Sequence, residues 1–154
     1  MNVGFTGTRE LTSPTDDWFV AAIVAQLILL HGDDLERIIT GGCVGADAMI
    51  ADVAYRNGLH VHTIIPANMS QVDPWVYTRC TSYQLMPRQS TYKDRNQAIV
   101  DQSDMLIGIP KDTEQYDFRS GTWQTIRMGK AKGIPVVVYT QKLARTAFDE
   151  LSRD

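Results

Sequence analysis

The chain has 154 residues, 44% hydrophobic and 21% charged, with a formal net charge of −3, which suits one domain (1–154) needing neither disulfides nor metal to hold its core. The acidic balance argues against general nucleic-acid binding, which draws on a basic surface, and two cysteines outside any CxxC pair, Cys43 and Cys80, point to a reduced, cytoplasmic setting. The longest apolar run, Trp18 to Leu30, is too short to span a bilayer, and Met1-Asn2-Val3-Gly4 leads into a strand pattern in place of a signal peptide.

Val3 to Thr6 reads as a strand ending at the glycine-bearing turn Gly7-Thr8-Arg9. Ser13-Pro14-Thr15-Asp16 then starts a helix: Ser13 caps it, Pro14 suits its first position and Asp16 complements the dipole. That helix runs to about Leu30 and is apolar almost all round, so it predicts a subunit interface (a dimer or tetramer) as well as a core. Arg37 to Thr40 is the second strand. The turn Gly41-Gly42-Cys43-Val44-Gly45-Ala46-Asp47 follows, and a helix continues to about Arg56. His60 to Ile65 is the third strand, stopped by Pro66. Residues 67–92 read as irregular, a length that points to function or to short helices. Lys93 to Gln102 is a helix, and Asp104 to Ile109 is a fourth strand stopped by Pro110. After the polar loop Lys111 to Phe118, Arg119-Ser120-Gly121-Thr122 opens a helix to about Lys132. Pro135 to Tyr139 is a fifth strand, and a last helix spans about Gln141 to Leu151.

Short β-branched strands alternating with helices predict an α/β fold. The expected form is a Rossmann-like, doubly wound parallel sheet of about five strands with helices on both faces. Ligands of such sheets bind beyond the carboxyl ends of the strands. That edge collects Gly7-Thr8-Arg9, the turn from Thr40 to Asp47, Pro66-Ala67-Asn68 and Pro110 to Thr122. Glycine turns at helix starts offer N–H groups and a positive dipole end to an anion such as phosphate. Glycines required only for turn geometry are the plainer alternative, and the concentration of three such turns with several cations favours phosphate. Arg119 with Ser120, Gly121 and Thr122 is either a second anion site or a capped helix with an exposed arginine. Arg95-Asn96 is a further candidate, or a solvated charge. Asp47 is open between a general base, an acceptor for ribose hydroxyls and a charge complementing its helix. Cys43 reads as a small packing residue. Trp75, Tyr77, Tyr83, Tyr92, Tyr116 and Trp123 divide between ring-stacking and packing roles. His31, His60 and His62 have no partners at metal-ligand spacing, so neither a metal nor a cofactor is expected.

The strand ending in Gly7-Thr8-Arg9, the run GGCVGADA from Gly41, the run RNQAIVDQSDMLIGIP from Arg95, and RSGTW from Arg119 resemble the SLOG superfamily across nearly the whole chain. This Rossmann-like group includes DprA, the LOG cytokinin-activating enzymes and the YspA/YpsA-related proteins, and the likeness is greatest to the YspA branch. The resemblance implies a pocket for a nucleotide-derived small molecule held by the two glycine turns. LOG enzymes hydrolyse the N-glycosidic bond of nucleoside 5′-monophosphates, using an arginine and the glutamate of a PGGxGTxxE motif. The arginine matches Arg95, with Asn96 where LOG has lysine, and Gly121-Thr122 matches the Gly-Thr pair. The glutamate position is Thr125, which has no carboxylate, so LOG catalysis does not carry over. Other SLOG domains, in bacterial defence effectors, bind cyclic ADP-ribose derivatives. The resemblance therefore also implies a sensor or sequestering protein for such a signal, either a host sensor or an anti-defence phage sponge.

Overall fold

A computed structural model describes residues 1–11, 14–111 and 120–140. Its strands are β1 (Asn2–Gly7), β2 (Arg37–Thr40), β3 (Val61–Ile65), β4 (Ser82–Leu85), β5 (Met105–Ile109) and β6 (Val136–Val138). Its helices are α1 (Pro14–His31), α2 (Ala46–Arg56), α3 (Tyr92–Asp101) and α4 (Gly121–Lys132). All neighbouring strands pair in parallel, in the order β4-β3-β2-β1-β5-β6. The expected Ser13 cap, the loop through Phe118, Arg119 and the helix from Gln141 lie outside the described residues.

Adjacent residues in one strand serve opposite cores, as the two-residue period of a strand requires. Ile38, Val61 and Ile107 pack with Phe19, Val20, Ile23 and Leu27 of α1 and Ile50 and Ala54 of α2. Ile39, Ile64 and Leu106 pack on the other face with Ile99 and Val100 of α3. Burial on both faces explains why these strands read as unbroken apolar runs.

The sheet has six strands, where the sequence predicts about five. The additional one, β4, falls inside the stretch read as irregular. It is an edge strand, and Tyr83, Gln84 and Leu85 are exposed, so it carries no apolar run to betray it. Its register is held by pairing to β3, with the Ser82 hydroxyl meeting both His60 Nε2 (2.9 Å) and His62 Nδ1 (2.7 Å). Two 3-10 turns, Met69–Gln71 and Val76–Thr78, fill the rest of the connection.

From β1 the chain builds outward through β2 and β3 to β4. Then α3 carries it back across the sheet to β5, on the other side of β1. With right-handed crossovers, that reversal puts α3 and α4 on the face opposite α1 and α2. The turns leaving β1 and β5 therefore diverge, and a crevice opens between them at the carboxyl edge. On α1, Ala21, Ala22, Ala25, Gln26, Leu29 and Leu30 remain exposed, Leu29 at 86% and Leu30 at 67%. Among the described residues, no helix is long and apolar enough to cross a membrane. No group of three His, Cys, Asp or Glu among them is placed to hold a metal ion.

Candidate functional site

The crevice is a cleft of about 530 Å³. The end of β1 contributes Thr6, Gly7, Thr8, Arg9 and Glu10, and the turn after β2 contributes Cys43, Val44 and Asp47. Tyr92, Arg95, Asn96 and Ile99 reach it from α3, Lys111 from the turn after β5, and Ser120, Gly121 and Thr122 from the start of α4. Eleven of the residues singled out from the sequence are thus brought together: Gly7, Thr8, Arg9, Cys43, Asp47, Tyr92, Arg95, Asn96, Ser120, Gly121 and Thr122.

Gly41, Gly42, Gly45 and Ala46 stand behind this wall. Gly45 has φ +84°, and a Cβ there would come within 2.4 Å of the Arg9 backbone. Its bareness lets the turn after β2 close on the turn after β1, where Ala46 N–H donates to the Thr8 carbonyl at 3.0 Å. Gly42 has φ +75°, and a Cβ would press on Thr63 and Val76 at 2.9 and 3.2 Å. A Cβ on Gly41 would fall 2.5 Å from Arg95 Nη1. The open sides of these glycines face protein groups: Gly45 faces the Arg9 turn, Gly42 faces Thr63 and Val76, and Gly41 faces Arg95 and Asp47.

Asn68, Pro66 and Pro110 also lie off the cleft wall. Asn68 is exposed and caps the Met69–Gln71 turn, taking the Ser70 N–H at 3.0 Å. Pro66 and Pro110 are buried just beyond β3 and β5. Of the described aromatic candidates, Tyr92 alone lines the cleft. Tyr77 and Tyr83 instead meet edge to face at 5.1 Å, near the β4 edge. Tyr116 is outside the described residues.

Arg95 is the hub, and its burial corrects the solvated-charge alternative. A reciprocal cap between Thr91 and Asp94 starts α3, and the helical repeat then turns Arg95, Asn96 and Ile99 inward. Arg95 Nη1 donates to the Gly41 carbonyl and to Cys43 Sγ (3.6 Å), while its Nε donates to Asn96 Oδ1 at 2.9 Å. The guanidinium also lies 5.5 Å from the Tyr92 ring centre, and Arg9 lies 5.6 Å from the same ring. Two cations attracted to one π-system hold the α3 wall to the β1 turn. The Tyr92 hydroxyl adds a tether, donating to the Asn68 carbonyl at 3.0 Å.

Burial pushes the Cys43 thiol up, and the nearby Asp47 adds to this, while Arg95 opposes it. Cys43 is thus a neutral packing residue and no activated nucleophile. Burial also raises the pKa of Asp47, against the pull of Arg95, the Cys43 N–H and Arg9. Across the cleft, Glu10 and Lys111 form an ion pair joining the turns after β1 and β5. At α4 the Ser120 hydroxyl accepts the Trp123 N–H at 3.3 Å, and the Ser120 carbonyl accepts from Gln124 at 2.9 Å. Gly121 and Thr122 hold the remaining N–H groups of that first turn, on the cleft side. Thr125 is wholly buried and donates its hydroxyl to the Gly121 carbonyl at 2.8 Å, within its own helix.

Sequence reasoning missed Phe5, Thr6, Glu10, Gln71 and Ile99 as lining residues, and placed Val44 and Lys111 only within turns of the carboxyl edge. Lys111 was legible in principle, since it directly follows the proline that stops a strand. Gln71 carried no signal, because a 3-10 turn leaves no periodic trace.

Fold and cleft together define a doubly wound α/β protein with a polar crevice at its switch point. No family model and no curated protein matches the sequence. Solved structures do share the fold. The molybdenum cofactor binding protein of Rippkaea orientalis is similar over 99% of this chain and 84% of its own, at TM-score 0.65 and 23% identity. The structural-genomics target TM1055 is similar over 88% and 71%, at 0.60 and 17%. DNA processing protein A (DprA) of Streptococcus pneumoniae is similar over 89% of this chain, at 0.63 and 18%, and this chain covers about half of it (49%).

Proposed function

We propose that the protein binds a phosphorylated, ribose-containing nucleotide derivative without turning it over, as a sensor or sequestering protein of SLOG type. The observation that carries this reading is the composition of the cleft. Arg9, Lys111 and the first-turn N–H groups of α4 converge there as donors for an anion, and the position of the LOG glutamate holds a buried threonine bonded to its own helix. Arg9 is exposed and poised on Tyr92. Arg9→Ala should therefore weaken binding by about 1.5–3 kcal/mol, the range for a charged hydrogen bond, while thermal stability changes little. Calorimetric titration of AMP, ADP-ribose, cyclic ADP-ribose isomers, cyclic dinucleotides and the molybdenum cofactor tests it. Equal affinity of wild type and variant for every ligand that binds would sink the assignment.

A second reading, hydrolysis of an N-glycosidic or phosphate bond, is favoured by one observation: a buried carboxyl with a raised pKa, Asp47, faces the cleft. Chromatography after incubation separates the two, since free base or ribose phosphate marks the enzyme and intact ligand the binder. Binding of DNA ranks below both, given the net charge of −3.

The exposed Leu29 and Leu30 on α1 support a homo-oligomer through this helix. Light scattering at micromolar concentration should give at least a dimer, and Leu30→Glu should reduce its mass toward the monomer. A monomeric wild type removes the argument.

A further inference from the structure

We infer that Asp47 is the group that selects for hydroxyl-bearing ligands, accepting a hydrogen bond from a sugar hydroxyl while the anion lies against Arg9, Lys111 and α4. This rests on the phosphate reading of the cleft given above.

A carboxylate in the wall of a cleft otherwise suited to anions calls for an explanation. Asp47 is only 8% exposed, yet it lines the cleft. Its Oδ2 accepts the Cys43 N–H at 3.2 Å. Its other oxygen has no hydrogen-bond partner among the described residues, and it is not a sealed orphan atom, as Trp123 Nε1 is among those residues. Oδ1 therefore opens onto the cleft. A carboxylate offers only acceptor sites, so what meets it must donate. An ammonium group is disfavoured, because Arg95 lines the same cleft and acts on Asp47, and its guanidinium repels a second cation. A neutral hydroxyl meets no such repulsion.

The opposite requirement holds at the other end. Arg9 and the N–H groups of Gly121 and Thr122 only donate, and so does Lys111, which is already paired with Glu10. One molecule meeting both ends is a phosphate ester of a polyol, that is, a sugar phosphate or a nucleotide with free ribose hydroxyls. A bare anion would meet repulsion from Asp47 and gain nothing in return, so the carboxylate discriminates against inorganic phosphate.

The test titrates inorganic phosphate, ribose 5-phosphate, AMP and 2′,3′-dideoxy-AMP against the full chain and against Asp47→Asn. Asparagine keeps the volume and an acceptor for the Cys43 N–H, so the fold should hold. The comparison of AMP with its dideoxy analogue in wild type needs no variant at all. Wild type should prefer AMP over the dideoxy compound by about tenfold or more, the effect of one hydrogen bond to a charged group. Asp47→Asn should bring the two within about twofold, while binding inorganic phosphate as well as wild type or better. If wild type binds AMP and its dideoxy analogue equally, the Asp47 assignment falls and the phosphate reading stands. If the variant loses every ligand alike, phosphate included, Asp47 is structural and the assignment again falls. If wild type binds none of the four, both readings fall together.

Discussion

Gly45→Ala should destabilise the protein by about 3 kcal/mol or more, and the loss should show as a lower denaturant midpoint with an unchanged slope. Two effects add. The backbone at φ +84°, ψ −129° is one that L side chains rarely adopt. The new methyl group would also sit 2.4 Å from the Arg9 backbone, which has no flexible end to swing away. Gly58→Ala separates the two. Gly58 has φ +77° and nothing within 4 Å of the added Cβ, so that change should cost only about 1–2 kcal/mol. If the two variants prove equally stable, the packing of one turn on the other contributes nothing. Gly42→Val should fail for the same kind of reason: it collides with Thr63 and Val76 and leaves the cleft itself unfilled.

The second large effect is expected at Arg95. Arg95→Met should cost about 3–5 kcal/mol, because the Gly41 carbonyl, Asn96 Oδ1 and the buried Asp47 all lose a cationic partner that water cannot replace. The loss should also depend on pH. Burial already raises the Asp47 pKa, and Arg95 is the first influence opposing that rise. Without it the folded-state pKa climbs further above the unfolded one. Between those two values the folded state binds more protons than the unfolded state, so its stability falls as pH rises. The gap between wild type and Arg95→Met should therefore be smaller at pH 5 than at pH 8. A gap independent of pH would show that Asp47 is not coupled to Arg95.

Alternation of apolar runs with helical segments made the parallel sheet and both helical layers legible, since doubly buried strands must be apolar throughout. β4 was hidden because an edge strand needs apolar residues on neither of its exposed positions, and Tyr83-Gln84-Leu85 obeys no simple alternation. At the cleft, Arg9, Asp47 and Ser120-Gly121-Thr122 were visible because turns at the carboxyl edge must gather there. Of the glycines, Gly7 and Gly121 line the cleft, whereas Gly41, Gly42 and Gly45 stand behind its wall. A GG turn reads the same whether its open side faces a ligand or another turn, and only the position of Arg9 and Thr63 decides which. Arg95 shows a related limit, because its spacing cannot reveal that Gly41 leaves room for a guanidinium.

The Glu10–Lys111 ion pair has a consequence for exchange. The cleft carries its own counter-ion, so the phosphate proposed above would have to displace a carboxylate of like charge before it held Lys111. Monoanions make a poor rival to that carboxylate, whereas a dianionic ester competes well. Under the binding reading proposed above, the gain at Lys111 is the difference between two ion pairs, smaller than that of a cation taken from water.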